Sequence, residues 1–136
     1  MQQQDTFSQL LAAARAQPQP QRLLFVFTQR ELPADASDSQ RQAFAQSAGG
    51  ALQPIACVDK SPHELSDFAA LVAESRQACP PWDVVFIAAL SGAGTQPPAA
   101  AQVSEGLKRM VAAVRSGHVG PFLALNAEGD PLTLAA

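Results

Sequence analysis

Tyrosine is absent from this 136-residue chain, and Trp82, Cys57, Cys79, Lys60 and Lys108 are its only tryptophan, cysteines and lysines. Charged residues make up 15% of it and the net charge is -3. A nucleic-acid binder needs a basic field to displace counterions from phosphate, and that field is missing. Two cysteines are too few for a secreted disulfide scaffold, so reduced thiols are expected. Their 22-residue spacing fits no CxxC redox motif, and His63 and His118 do not complete a zinc pattern with them. No metal or cofactor is therefore expected. Apolar runs stay far short of the roughly 18 residues that a membrane span requires, so no membrane partner is expected. Met1-Gln-Gln-Gln-Asp-Thr6 carries neither a basic nor an apolar signal region, and the expected location is cytoplasmic.

What is present is a 47% apolar content, ordinary for a globular protein. The length predicts one domain over 1–136 with a core of its own. Thr6-Phe-Ser-Gln9 reads as a capping box opening a helix with Phe7, Leu10, Leu11 and Ala14 on one face. Prolines 18 and 20 end it. Leu23-Leu-Phe-Val-Phe27 and Val84-Val-Phe-Ile-Ala-Ala-Leu90 are apolar without alternation, the pattern of strands buried on both faces. Between them, Ser37-Asp-Ser-Gln40 opens a thin helix ended by Gly49-Gly50. Ala51–Val58 is a second strand in which Pro54 favours an edge position or a strand entry.

Ser61-Pro-His-Glu64 is the strongest helix start in the chain, with Leu65, Phe68, Ala69 and Val72 on the buried face behind it. A long helix after Pro97-Pro98 buries Val103, Leu107, Met110, Val111 and Val114. Gly106, in its middle, points to a close helix–sheet approach. Phe122–Leu125 and Leu132–Leu134 flank turn residues and read as a terminal β-hairpin. The order α-β-α-β-α-β-α-β-β predicts an α/β three-layer sandwich. Its sheet is mostly parallel, of about five strands, with the antiparallel hairpin at its end.

Ligands in such a sheet bind beyond the carboxyl ends of the strands, which nominates Arg30, Asp59, Lys60 and the loop Ser91-Gly92-Ala93-Gly94-Thr95. The glycines allow backbone amides to converge on an anion near a helix N-terminus. The loop lacks the Gly-Lys-Ser/Thr ending of a P-loop and the third glycine of a dinucleotide fingerprint. No Gly-x-Ser-x-Gly nucleophile elbow occurs anywhere; the structural alternative is a plain strand-to-helix turn. Lys60 beside Asp59 suits a phosphate or carboxylate as a point charge, or else forms an exposed ion pair. Cys57 shares the face of Asp59 and is expected to be a buried structural thiol. His63 reads as a solvated side chain, His118 as a partner of a helix C-terminus, and Trp82 as packing at a strand entry.

Gln21–Phe27, Gly49–Lys60 and Pro81–Gly92 together resemble a small proteobacterial family whose members often bear the name ribonucleotide reductase subunit alpha. The resemblance runs through almost the whole chain and brings no catalytic residues with it. Length and two cysteines exclude a reductase catalytic subunit, which needs a ten-stranded barrel, a cysteine radical and a second cysteine pair. The name implies at most an accessory role near nucleotide metabolism. From the residues themselves, the expected function is a non-enzymatic binding or protein-interaction module, with any ligand site at the strand ends, or with a partner, a second copy of the chain (homodimerisation) among the candidates, pairing at the edge of the terminal hairpin. The alternative is a small enzyme or anion-binding protein acting on a phosphorylated or carboxylated metabolite at the strand ends.

Overall fold

A computed structural model describes residues 5–31, 37–45 and 51–133. The chain runs α1 (Thr6–Arg15), β1 (Gln21–Glu31), α2 (Asp38–Ala45), β2 (Ala51–Lys60), a 3-10 turn (Pro62–Glu64), α3 (Phe68–Ala78), β3 (Val84–Ser91), α4 (Ala100–Ser116) and β4 (Leu123–Asn126). The strands form one sheet in the order β2-β1-β3-β4, and every neighbouring pair is antiparallel. This corrects the expected mostly parallel, five-stranded sheet of a three-layer sandwich.

The reason lies in the connections. The eleven residues of β1 span about 36 Å, whereas the eight residues of α2 cover only about 12 Å. The helix does not carry the chain back along β1, and β2 re-enters the sheet beside the end of β1, where Glu31 pairs with Ala51. The α3 segment then passes from β2 to β3 across β1, since β2 and β3 flank that strand on either side. The expected hairpin is reduced to β4 and single bridging contacts: Leu125 bridges Pro131, and Leu132 N–H donates to Ala124 O at 2.9 Å. Gly49, Gly50, Leu134 and the Phe44 side chain lie outside the described residues.

Strand β1 has no polar face because helices cover both of its sides. Leu23, Phe25 and Phe27 pack with Phe7 and Leu11 of α1, Phe68 and Leu71 of α3, and Trp82. Leu24 and Val26 face Val103, Met110 and Val114 of α4. Gly106 lets α4 come close: a Cβ there would lie 3.1 Å from Leu24 Cδ1. Rings of Phe7 and Phe68 meet edge to face at 5.4 Å, and those of Phe27 and Trp82 at 5.2 Å, separations at which aromatic pairs attract. Buried polar atoms are answered locally. Trp82 Nε1 donates to Ser75 Oγ at 2.8 Å, and Thr28 Oγ1 donates to Val84 O at 2.8 Å.

Two helix starts differ from their sequence signals. Asp5, not Thr6, caps α1, accepting from Ser8 N–H at 2.7 Å. Ser61–Glu64 closes only the 3-10 turn, with Glu64 Oε1 accepting from Ser61 N–H at 2.9 Å. Asp67 then caps α3 by accepting from Ala70 N–H at 2.8 Å. Arg15 ties the turn to α1, donating to Pro62 O at 3.0 Å and to Leu65 O at 2.7 Å.

Candidate functional site

Antiparallel pairing redistributes the nominated residues. The ends of β2 and β3 do share a sheet edge, on either side of the start of β1: Lys60 pairs with Leu23, and Ser91 with Gln21. Arg30 pairs with Leu52 at the opposite edge, about 23 Å along β1 from Leu23. Its separation from the others follows from the reversed direction of β1, which sends that strand's end away from theirs. The backbone N–H of Arg30 donates to Asp83 Oδ2 at 2.8 Å.

Asp59 and Lys60 point to opposite faces, as neighbours in a strand must. Asp59 stands opposite Leu24 on the α4 side, where its Oδ2 accepts from Arg22 Nε at 2.6 Å. The same guanidinium reaches Glu64 Oε1 at 3.2 Å. Hydrogen bonds from Ser61 hold Glu64 below the usual carboxylate range, with Arg22 and Lys60 adding a weaker pull. Lys60 stands opposite Leu23 on the α3 side, and its largely covered Nζ meets Glu74 Oε1 at 2.6 Å. Arg22 was not among the nominated residues; its position at a strand start hid a role that only the register reveals.

The glycine loop is a closed turn. Gly92 N–H donates to Pro20 O at 2.8 Å, Ala93 N–H to Gln96 O at 3.0 Å, and Gln96 N–H to Ala93 O at 2.9 Å. A Cβ on Gly92 would fall 1.9 Å from Gln96 O, and Gly94 has a φ of 58°, so both glycines answer to the turn itself. Ser91 Oγ accepts from Gln21 Nε2 at 2.9 Å, and Thr95 is exposed. Pro97 and Pro98 then separate the turn from α4 without supplying a single N–H. Beyond that helix, Gly117 has a φ of 81° and His118 N–H returns to Ala113 O at 2.9 Å, a Schellman-type close. His63 is exposed.

A different region combines exposure with concavity. Strand β2 lies at the end of the sheet, and among the described residues no strand pairs with its outer side. Ala51–Val58 carries no charge, although charged side chains are a usual guard of open edges. Its first half is guarded otherwise, by Pro54 and by a bulge that skips Ile55: Phe27 pairs with Ala56 and Thr28 with Pro54. Ala56–Lys60 beyond the bulge is regular. Cys57 is exposed here, contrary to the buried thiol expected, because an edge strand has no neighbour to cover it.

Grooves flank this stretch on both faces. On the α4 side, about 410 Å³ is lined by Cys57, Ser104, Leu107, Lys108, Val111 and Arg115. That groove continues past Ser104 and Leu107 into a space of about 420 Å³ ending at Arg22 and Asp59. On the α3 side, about 210 Å³ is lined by Val58, Lys60, Leu71, Glu74, Ala78 and Cys79, among others. Burial raises the Cys79 thiol above its ordinary pKa. By contrast, the outer side of β4 is occupied by the returning residues 131 and 132. Pro54 was the one sequence signal for this edge; the grooves had none, since one is made by α4, distant in sequence, and the other by the way α3, the next helix in the chain, packs back beside β2.

Among the described residues no group of three or more His, Cys, Asp or Glu is placed to hold a metal ion, and no helix is long and apolar enough to cross a membrane. No family model matches the chain, and comparisons with the curated proteins and with the solved structures return no match.

Proposed function

We propose that this chain is a non-enzymatic protein-interaction module that captures an extended segment of another protein by strand addition along Ala56–Lys60 of β2. The observation that carries this reading is the unpaired, regular half of β2 with a groove on each face. Strand addition takes affinity from main-chain hydrogen bonds and selectivity from pockets that receive alternate side chains. An added strand sends successive side chains to opposite faces, so one set enters the α4-side groove and the other the α3-side groove. The dimensions agree. Ser104 to Arg115 on α4 rises about 16 Å, the length of about five extended residues, and Ala56–Lys60 supplies five.

Enzymatic chemistry has less support. The ionisable groups at the strand ends are engaged with one another, as Arg22–Asp59, Arg22–Glu64 and Lys60–Glu74. Two amides of the glycine loop, Gly92 and Ala93, are likewise taken up by Pro20 O and Gln96 O.

Hydrogen exchange tests the proposal. Outward amides of Ala56–Lys60 exchange fast in the free protein, and a saturating neutral probe, an acetylated and C-terminally amidated heptapeptide alternating valine and glutamine, protects them. Ala112→Trp, at an exposed position on the α4 wall of the groove, leaves the melting temperature in place and removes the protection. Protection elsewhere, or none, overturns the reading.

A further inference from the structure

The two grooves beside β2 differ in charge, and this extends the reading above, on which it rests. The α3-side groove is electrically balanced: its Lys60 is met by Glu74 at 2.6 Å. The α4-side groove has two cations beside Cys57, Lys108 and Arg115, and its one carboxylate among the described residues, Asp59 at the far end, is already held by Arg22 at 2.6 Å. Among the described residues neither cation has an ion-pair partner. Lys108 is one of only two lysines in a chain of net charge -3, so this positive wall runs against the sign of the whole molecule.

We infer that the partner strand carries carboxylates on the side chains facing α4 and small apolar groups on those facing α3: an acidic–apolar alternating segment of another protein. Lys108 and Arg115 lie seven residues apart, about 10 Å of helix rise. Alternate residues of an extended strand lie about 7 Å apart, and every fourth about 13 Å. Two flexible cationic stems meet carboxylates at either spacing, while Leu107 and Val111 between them cover the stems of the acidic side chains. Cys57, exposed on the strand itself, leaves room for the backbone to approach.

Charge also argues against a second copy of this chain as the occupant. Two β2 strands paired antiparallel about a two-fold axis place both α4 helices on the same side of the joined sheet. Lys108 and Arg115 of one copy would then confront those of the other across the axis, an unfavourable like-charge juxtaposition.

Three fluorescent heptapeptides alternating valine with glutamate, glutamine or lysine distinguish these readings by polarisation at 50 and 300 mM salt. Exposed ion pairs contribute modestly, so each cation is expected to add about two- to fivefold. The glutamate peptide should bind about tenfold tighter than the glutamine peptide at low salt, with the lysine peptide weakest. Lys108→Gln with Arg115→Gln, both at exposed positions, should erase the difference between the first two without lowering the melting temperature. If the glutamine peptide binds as tightly as the glutamate peptide and still protects β2, the charge assignment falls and strand addition stands. If no peptide protects β2, strand addition itself falls. A concentration-dependent dimer in sedimentation that Ala112→Trp disrupts makes a second copy the occupant and overturns the inference.

Discussion

Trp82 is the only tryptophan of a chain without tyrosine, so its ultraviolet fluorescence reports one buried site. Trp82 is 7% exposed and its Nε1–H donates to Ser75 Oγ at 2.8 Å; Ser75, 5% exposed, donates that hydroxyl to Val72 O at 2.7 Å. Replacing Ser75 by alanine strands a buried N–H donor, which costs about 1–3 kcal/mol. Alanine offsets about 0.5 kcal/mol of this as the better helix former. The net expectation for Ser75→Ala is a loss of roughly 1–2 kcal/mol. In a Trp82→Phe background no donor is left, so the same change should be neutral or slightly stabilising. The double-mutant cycle should therefore show a coupling of about 1–2 kcal/mol. Urea unfolding of all four proteins by far-ultraviolet circular dichroism measures it, with Trp82 fluorescence as a second probe where the indole remains. A coupling below about 0.5 kcal/mol, the scatter of independent sites, would refute the claim that this hydrogen bond is what Ser75 contributes.

Three further outcomes follow from other contacts. Arg15→Ala removes the donors to Pro62 O and Leu65 O and should cost about 1–2 kcal/mol in urea, since hydrogen bonds from a charged group exceed neutral ones; Arg15→Lys should restore only part of it. Asp5 is held below the usual carboxylate range chiefly by the Ser8 backbone N–H. Its contribution is complete above about pH 4, the unfolded carboxylate value, and is lost as pH falls through the lower folded value. Asp5→Asn, an equally good cap, should leave stability near neutral pH unchanged and flatten the acid limb of the melting-temperature profile. Finally, Cys57 is exposed whereas Cys79 is partly buried with a raised pKa, so a thiol reagent at pH 8 should label Cys57 first in the native protein, as peptide mass mapping would show. Equal rates would contradict the placement of β2 at an open edge.

Much of the secondary structure was legible in local patterns. Leu23–Phe27 and Val84–Ile87 are covered on both faces as their apolar runs declare, although Ala89 farther along β3 is exposed; Gly106 declares a close approach of α4 to the sheet, and Pro54 hints at an edge. These follow from the chain alone because periodicity, proline and glycine act over a few residues. Alternation along β2 also sends Asp59 and Lys60 to opposite faces, and that period of two by itself argues against grouping them around one ligand.

Strand direction was decided only in three dimensions. A strand buried on both faces looks the same in sequence whether its neighbours run with it or against it. The choice falls to how far each connection carries the chain, and α2 is too short to retrace β1. The antiparallel pairing that results sends Arg30 to the far edge and brings Arg22 to Asp59, while residues 131 and 132 cover the outer side of β4 and, among the described residues, no strand covers β2. The paired grooves belong to the same level, since α4 meets β2 across a long sequence separation and α3 borders it only through the way that helix packs back on the sheet. Composition made cations scarce; the tertiary fold placed Lys108 and Arg115 beside an unguarded strand.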